Sequence, residues 1–288
     1  MRIVFFICRL LKPKRIEMGT KFKLNTGAEI PALGFGTWQD EDAQEEAVLE
    51  AIKAGYRHID TATVYGTEMA VGQAIRASGS PREDLFITTK LWNNKHHPDD
   101  VEEALQQSLD ELGLEAMEKL LETGKAKAIG VSNFSKADLE KLLAETSVVP
   151  AVHQMECHPW LQQRDFSEWH IEMGIHITHY SPFGNQNAFY GMKAGFGKLI
   201  EEHVLAEIGE PYGKRPAQVV LAWAVSLGHS VVPKSKTPSR IISNLEGDFK
   251  LSPHDMEKIS ALNRGLRFND SSGEFGRDFF EDLEDKTG

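Results

Sequence analysis

The chain has 288 residues, of which 41% are hydrophobic and 26% are charged, and its formal net charge is −11. These values are typical of a globular protein and allow one large α/β domain or two ordinary domains. The negative charge argues against nucleic-acid binding as the main function, because domains that bind a phosphate backbone are usually basic. It leaves room for a local basic pocket that takes a phosphorylated small molecule.

The cysteine content and the two termini set further limits. Cys8 and Cys157 are too few for a disulfide framework, so we predict a reducing compartment, the cytoplasm. The apolar run in MRIVFFICRLLKPKRIEM is shorter than the roughly 20 residues of a membrane span, and no small-residue cleavage site follows it. We predict no membrane segment, with a transit peptide as the alternative. Residues 1–17 are predicted to be a disordered extension, and residues 18–288 one domain that ends in an acidic, solvated tail.

The predicted elements begin with a hairpin and continue as alternating helices and strands. The hairpin is KFKLNTGAEIPALGFGTW, with turn-forming residues at 25–27. In chain order, the pattern then predicts a helix in DEDAQEEAVLEAIKAG, a strand in YRHIDTA, a helix in GTEMAVGQAIRASG, a strand in DLFITTKLW, a helix in PDDVEEALQQSLDELG, a strand in KAIGVSN, a helix in SKADLEKLLAE, a strand in AVHQMECHP, a helix in RDFSEWHIEMG, a strand in IHITHYSPFG, a helix in RPAQVVLAWAVSLG, a strand in HSVVPKS and a helix in PSRIISNLE.

Repeated strand–helix units of this length predict a parallel sheet with right-handed crossovers. Seven or eight units favour an α/β fold of the (β/α)8 TIM-barrel type over an open, doubly wound sheet. An open sheet of that kind normally has the motif G-x-G-x-x-G after its first strand. GFGTWQ fails at the last position of the motif, and GMKAGFGK has the wrong spacing.

The stretch DELGLEAMEKLLETGKAKAIG, residues 110–130, interrupts the alternation. On one continuous helix, the apolar stripe before Gly113 and the stripe after it would point roughly 140° apart, so one helix cannot bury both against one sheet. We therefore predict two helices, at about 101–112 and 115–123, with no strand between them. The count of parallel strands is then seven instead of eight.

Three side chains at or after strand ends form a candidate acid–base unit. Asp60 ends one strand, Tyr65 lies in the loop after it, and Lys90 ends the next strand. In a barrel these strand ends converge on one mouth. A close ammonium lowers the pKa of a tyrosine from its usual value of ~10, and a carboxylate keeps the ammonium charged and oriented. Such a tyrosine can protonate an alkoxide as a hydride reaches a carbonyl carbon. Taken singly, the Asp also fits a cap and the Tyr fits packing.

Several motifs in series resemble those of the aldo-keto reductases. They are LGFGTW, GYRHIDTATVYG, ITTKLWN, GKAKAIGVSNF, HQMECHPWLQQ, HYSPFG and VVPKSKTPSRIISN, in the order of the family, and they cover about residues 21–269. The resemblance implies a (β/α)8 barrel that reduces aldehydes and ketones with NADPH and without a metal.

The resemblance also implies a role for particular residues. It makes Tyr65 the proton donor, with Lys90 and Asp60 as its tuning pair, and it places Trp38 and Trp92 along the aldehyde pocket. It assigns NADPH/NADP+ to Thr37, Ser132, Asn133, Gln154, Tyr180, Ser181, Lys234, Ser235, Arg240 and Asn244. Within that set, the side chains at 132, 133 and 154 would hold the nicotinamide carboxamide, and the tyrosine at 180 would stack on the nicotinamide ring. The side chains at 234, 235 and 240 would hold the adenosine 2′-phosphate, which favours NADPH over NADH.

Residues 110–130 are also where the sequence departs from the family. In the family a strand with an IHWP-like end, whose histidine orients the carbonyl, lies between the third and fourth helices, and this chain has no counterpart. We therefore expect a deletion, a barrel with a gap or a strained seam, low stability and impaired turnover. A smaller departure is Ser243, where the family often has Glu near the adenine. The remaining histidines are predicted to be solvated or packed rather than catalytic: His96, His97, His58, His153 and His158.

These observations predict an oxidoreductase that transfers a hydride between NADPH and the carbonyl of small aldehydes, sugars or polyol-derived ketones. An aldehyde reductase or a glycerol dehydrogenase fits this description. The alternative is a non-catalytic, truncated form that binds NADPH or acts as a scaffold. For either function we predict a monomer whose partner is a small molecule, with no nucleic acid, no membrane and no metal.

Overall fold

The structure is a computed structural model that describes residues 2–7, 19–39, 41–95, 97–113, 126–184, 196–270, 272, 280 and 283. The strands are β1 (Arg2–Ile7), β2 (Lys21–Lys23), β3 (Glu29–Pro31), β4 (Phe35–Gly36), β5 (His58–Asp60), β6 (Phe86–Lys90), β7 (Ala128–Ser132), β8 (Val152–Glu156), β9 (His176–Tyr180) and β10 (Ser230–Val231). The α-helices are α1 (Gln44–Ala54), α2 (Glu68–Ser78), α3 (Pro98–Leu112), α4 (Lys136–Glu145), α5 (Arg164–Glu172), α6 (His203–Gly209), α7 (Pro216–Leu227), α8 (Pro238–Leu245) and α9 (Pro253–Ser260).

Eight strands form one sheet, in the order β10-β9-β8-β7-β1-β6-β5-β4. The pairs β4–β5, β5–β6, β7–β8, β8–β9 and β9–β10 are parallel. β1 is antiparallel to both β6 and β7. The described sheet thus has seven parallel strands, as the sequence predicts, with an antiparallel strand between the third and the fourth of them. This is the α/β architecture of a (β/α)8 barrel with one strand reversed.

The two ends of the sheet, β4 and β10, approach each other without forming a continuous strand pair. A parallel bridge joins Leu33 to Val231. The backbone N–H of Gly34 donates to the carbonyl of Val231 at 2.9 Å, and the N–H of Gly36 donates to that of Pro233 at 3.0 Å. These bonds bring the first and last parallel strands side by side, but the described strands do not form a closed barrel sheet.

Helices form the outer layer and bury their apolar stripes against the sheet. The main core contains Val48 of α1, Val71 of α2 and Leu221 of α7, which pack with strand residues such as Ile59 and Ile87. A hairpin of β2 and β3 covers the end of the sheet at which β6, β7 and β8 begin. Its Leu24 and Ile30 form a cluster with Phe86, Ala128 and Val152, which are the first residues of β6, β7 and β8.

The structure also tests the ends of the predicted helices. α3 ends at Leu112, and Gly113 follows with φ 64°, the left-handed conformation that glycine adopts at helix ends. The first of the two predicted helices, at about 101–112, therefore ends where the sequence indicates. The predicted second helix, at about 115–123, lies outside the described residues. Sequence patterns did not identify α6 or α9.

Both termini contain residues that join the fold. Arg2–Ile7 forms a strand of the main sheet, and the rest of the predicted extension, residues 1 and 8–17, lies outside the described residues. The expected gap between β6 and β7 is occupied by that strand. In the C-terminal segment, Phe280 and Leu283 are buried in one cluster with Val131 and Phe166. Among the described helices, none is long and apolar enough to cross a membrane.

Candidate active site

A buried ion pair lies where two neighbouring parallel strands end. Asp60 is the last residue of β5 and Lys90 is the last residue of β6. Lys90 Nζ donates to Asp60 Oδ1 at 2.6 Å and to the carbonyl of Thr61 at 2.8 Å. Both side chains are almost fully shielded from water. Loss of one partner would leave an unpaired buried charge, a change that costs roughly 3–5 kcal/mol in proteins. The pair therefore holds the ammonium in one place.

Tyr65 lies above this pair in the loop after β5. Lys90 Nζ is 5.1 Å from the centroid of the Tyr65 ring. The Trp38 ring packs edge-on against the same tyrosine, with centroids 4.6 Å apart. Tyr65 is half-buried, and within the described part of the chain its hydroxyl has no hydrogen-bond partner. The hydroxyl is thus free to donate to an oxygen of a bound molecule. The structure brings together Asp60, Tyr65 and Lys90, as predicted.

The ends of β7 and β9, with the middle of β8, form the other side of the mouth. Gln154 Nε2 donates to Asp60 Oδ2 at 2.7 Å, across the interior of the sheet. The backbone N–H of Asn133 donates to the carbonyl of Gln154 at 3.1 Å. The Tyr180 hydroxyl donates to Asn133 Oδ1 at 2.8 Å. A chain of hydrogen bonds therefore connects the predicted nicotinamide residues to the carboxylate that holds Lys90.

Two residues that follow strand ends have unusual backbone conformations. Asn133 has φ 58° and Ser181 has φ 48°, both in the left-handed region. Residues other than glycine rarely adopt it, at a cost of about 1–3 kcal/mol, and such residues concentrate at functional sites. Both lie one residue past a strand, at the mouth of the sheet.

The segment predicted to hold the 2′-phosphate joins β10 to α8. Ser235 Oγ accepts a hydrogen bond from the backbone N–H of Thr237 at 3.1 Å, directly before the helix. Arg240 is exposed in the first turn of α8, and Lys234 is half-buried. Asn244 is buried one turn further on. Two cations, a hydroxyl and a helix start form a donor set that suits a phosphate monoester. The residues present therefore fit NADPH.

Other predicted site residues take up positions around the same mouth. Thr37 is buried; its hydroxyl donates to the carbonyl of Asp60 at 3.1 Å and lies 3.3 Å from the Thr67 hydroxyl. Ser132 is buried at the end of β7, and Trp92 is half-buried two residues after Lys90. The structure thus places the predicted residues at one end of the sheet.

Sequence reasoning missed a buried carboxyl group behind Lys90. Glu68 of α2 accepts hydrogen bonds from the hydroxyls of Thr89 at 2.5 Å and Ser108 at 3.2 Å. Ser108 also bonds to Thr63, whose hydroxyl donates to the carbonyl of Lys90 at 3.2 Å. Burial raises the pKa of Glu68. The sequence contained a signal for it, because Glu68 lies on the apolar stripe of α2, three residues before Val71.

The histidines agree with their predicted structural roles. His97 is exposed and accepts a hydrogen bond from the N–H of Asp99 at the start of α3. Three further histidines are buried, and each forms a hydrogen bond with another side chain. His58 bonds to Thr88 at 3.0 Å, His153 to His170 at 2.7 Å and His158 to Glu156 at 3.1 Å. His96 lies outside the described residues. Among those that are described, no group of His, Cys, Asp and Glu could hold a metal ion.

Comparisons with known proteins agree with this geometry. A sequence model of the Aldo/keto reductase family matches residues 32–118 and 113–264. An uncharacterized oxidoreductase of Schizosaccharomyces pombe is 40% identical over an alignment of 294 positions, which takes in 87% of this chain and 91% of the relative. Aldo-keto reductase family 1 member A1 of Sus scrofa is 37% identical over 292 residues, with 85% and 90% covered.

Two solved structures have the same fold. An aldo/keto reductase from Brucella melitensis superposes with a TM-score of 0.77 at 40% identity and covers 85% of this chain and all of its own. A Bombyx mori aldo-keto reductase in complex with NADP superposes with a TM-score of 0.84 at 31% identity, with 91% and 99% covered. The chain belongs to the aldo/keto reductase family.

Proposed function

We propose that this chain reduces the carbonyl group of small aldehydes, sugars or polyol-derived ketones with NADPH. The observation that carries the proposal is the buried pair of Lys90 and Asp60, 2.6 Å apart, beneath the half-exposed Tyr65. Membership of the family and the NADP complex of the Bombyx mori relative support the reaction type and the cofactor.

The proposed mechanism uses Tyr65 as a general acid. When bound, NADPH would supply the hydride for the carbonyl carbon. The Tyr65 hydroxyl donates a hydrogen bond to the carbonyl oxygen and transfers its proton as negative charge develops there. The resulting phenolate lies beside the Lys90 ammonium, which stabilises the negative charge. Asp60 keeps that ammonium in place, and water returns the proton to the tyrosine after product release.

In the same proposal, the mouth orients the cofactor from two sides. Ser132, Asn133 and Gln154 would hold the carboxamide, and Tyr180 would stack on the nicotinamide ring. Because the Tyr180 hydroxyl is bonded to Asn133, its ring orientation is fixed before the cofactor binds. The cations in the segment before α8 and within it, Lys234 and Arg240, would hold the 2′-phosphate, which would give a preference for NADPH over NADH.

The aromatic wall of the mouth supports a small substrate. Trp38 packs edge-on against Tyr65, and its indole Nε1 is buried without a hydrogen-bond partner in the described structure. An unpaired buried donor is unfavourable, so a substrate oxygen that accepts from it gains affinity. Aldehydes and sugars with an oxygen near the carbonyl meet this requirement.

A Tyr65→Phe variant tests the function. We expect NADPH oxidation with small aldehydes to fall by roughly 10²–10⁴-fold, the usual contribution of a general acid, while NADPH binding stays unchanged. Tyr212→Phe is the matched control, because that hydroxyl bonds to Asp255 away from the mouth. Equal turnover in the original chain and in Tyr65→Phe would contradict the proposal.

We also infer that the chain lacks a strand present in its relatives. The family model matches in two segments that overlap at residues 113–118 rather than in one continuous segment. The alignment with the Schizosaccharomyces pombe relative is 294 positions long but uses only 87% of the 288 residues, so roughly 43 positions (294 less 87% of 288) have no residue in this chain. These observations support the predicted deletion near residues 110–130.

This inference supports a second candidate function, a form that binds NADPH with impaired or no turnover. The reversed β1 between the strands of Lys90 and Ser132 is the observation that favours it, since it changes the mouth next to the acid–base unit. Tight NADPH binding without detectable reduction of a panel of aldehydes would select this candidate. Turnover that depends on Tyr65 would select the first.

A further inference from the structure

The turn that follows β7 is held by hydrogen bonds from two consecutive backbone groups. Asn133, the first residue after β7, has φ 58°. Its N–H donates to the carbonyl of Gln154 at 3.1 Å, and the next N–H, that of Phe134, donates to His153 Nε2 at 3.2 Å. The left-handed conformation is unfavourable for a residue with a side chain, so it persists only where the surroundings hold it. The imidazole of His153 supplies one of the contacts that do so.

One strand reaches this turn from both faces of the sheet. His153 and Gln154 are neighbours on β8, and neighbouring side chains of a strand point to opposite faces. The Gln154 side chain lies on the interior face, where it donates to Asp60. The His153 side chain lies on the outer face, where it bonds to His170 of α5. The turn is therefore connected to the acid–base unit on one face and to a helix on the other.

The hydrogen bonds at the two ends of the histidine pair determine which ring nitrogens carry protons. His170 Nδ1 lies 2.5 Å from the carbonyl oxygen of Phe166, which can only accept, so this nitrogen carries a proton. In a neutral ring the other nitrogen, His170 Nε2, is then an acceptor. It lies 2.7 Å from His153 Nδ1, which therefore donates to it. This leaves His153 Nε2 unprotonated, as the bond from the Phe134 N–H requires.

The surroundings of the two rings favour this neutral arrangement. His153 and His170 are both buried, and the ring of Phe166 packs edge-on against each of them. Burial lowers the pKa of His153 well below its usual value and that of His170 to about 4. Both rings are therefore neutral at neutral pH, and the bond between them sets the tautomer of His153.

We propose that His153 and His170 are positioning residues that hold the turn at Asn133 in the shape that receives the nicotinamide carboxamide. This inference rests on the proposed function, which assigns the carboxamide to Ser132, Asn133 and Gln154. His153 acts through the backbone of the turn. His170 acts through His153, since its two ring nitrogens bond to that residue and to Phe166 of its own helix.

Binding of NADP+ to variants of the full chain tests this role. His153→Leu removes the acceptor for the Phe134 N–H, and we expect the dissociation constant of NADP+ to rise roughly 3–10-fold, the value of one hydrogen bond. His153→Gln places an amide oxygen near the position of Nε2 and should restore most of the affinity.

His176→Leu is the matched control for the binding measurement. His176 Nε2 also accepts from a backbone N–H, that of Ser230 at 3.3 Å, but at the start of β9, the other end of the sheet. This variant should have a lower melting temperature and an unchanged dissociation constant. An unchanged dissociation constant in His153→Leu, or equal rises in His153→Leu and His176→Leu, would overturn the proposal.

NMR spectra of the free chain test the pair without a cofactor, and therefore separately from the proposed function. At about pH 7 the ring nitrogens of His153 and His170 should both be protonated at Nδ1 alone. His170→Phe removes the acceptor for His153 Nδ1, so we expect part of His153 to move its proton to Nε2 and the Phe134 amide to exchange faster with solvent. A proton on His153 Nε2 in the original chain, or unchanged exchange of the Phe134 amide in His170→Phe, would overturn the proposal even if the chain is an active reductase. The expected tautomers in a chain that does not bind NADP+ would overturn the assigned cofactor, and with it this role of the turn.

Discussion

Two places in the same sheet are held together in different ways. β8 and β9 pair directly over five consecutive residue pairs, and α5 connects them. β6 and β7 are also consecutive parallel strands, but β1 lies between them and pairs with each. The first arrangement is encoded by one local strand–helix–strand unit. The second depends on a segment far away in the sequence, so the two should respond differently to change.

Removal of β1 gives the largest expected effect. A chain that starts at Met18 loses the inter-strand hydrogen bonds on both sides of β1. At a net contribution of about 1 kcal/mol for each bond, we expect its free energy of unfolding to fall by roughly 5 kcal/mol. Urea unfolding measures this change, with removal of residues 284–288 as a control. Equal stability of the shortened and full chains would show that β1 does not join the two halves.

A core substitution in β9 tests the locally encoded part of the sheet. Ile177 is buried with Val131 and Met155, so Ile177→Ala removes apolar contacts and leaves a cavity. We expect a loss of about 2–5 kcal/mol in the free energy of unfolding. The control is Ile171→Ala, since Ile171 of α5 is 66% exposed and its change should stay within about 0.5 kcal/mol. Similar losses from the two variants would argue against this packing.

Stability should also depend on pH, because several buried histidines lie on the β8–β10 side of the sheet and another, His58, lies on β5. Burial lowers the pKa of His170 to about 4 and those of His176 and His229 to about 3, all on or beside the β8–β10 side. In the unfolded chain these groups take up protons below pH ~6.5. The contribution of each of these histidines to the free energy of unfolding is therefore fully present above pH ~6.5. It falls by up to about 1.4 kcal/mol per pH unit for each group as the pH drops toward the pKa of the folded state. Melting temperatures measured between about pH 7 and pH 4 check this.

A matched pair of variants assigns that pH effect. His170→Gln should make the melting temperature less dependent on pH than it is in the original chain. His97→Gln should leave the dependence as it is, because His97 is exposed. An identical pH dependence in all three proteins would contradict the assignment to buried histidines.

The smallest expected effect concerns the helix that follows β7. The Ser135 hydroxyl accepts from the N–H of Asp138, and the Asp138 carboxylate accepts from the N–H of Ser135. Ser135→Ala removes half of this capping box and should cost about 1 kcal/mol. Ser135→Thr should retain most of the stability. A loss of equal size in both variants would mean that the hydroxyl does not cap α4.

The sequence predicted the parts of this molecule that local patterns encode. The seven parallel strands, the glycine stop of α3 and the convergence of Asp60, Tyr65 and Lys90 follow from helix periodicity and strand-end chemistry. The place of β1 could not be read in this way, because an apolar run next to basic residues has no local signal for a partner strand. The burial of Phe280 in an acidic tail and the hydroxyl partners of Glu68 depend likewise on distant residues.

A thermal melt of the full chain with and without excess NADPH tests the central claim most directly. The predicted cofactor residues lie on or after β7, β8 and β9, after β10 and after β4, so they form one site only if these strands come together at one end of the sheet. The account predicts a cooperative transition whose midpoint rises with NADPH concentration, by about 2.7 kcal/mol of added stability at 100 times the dissociation constant. A midpoint that NADPH does not move would contradict it.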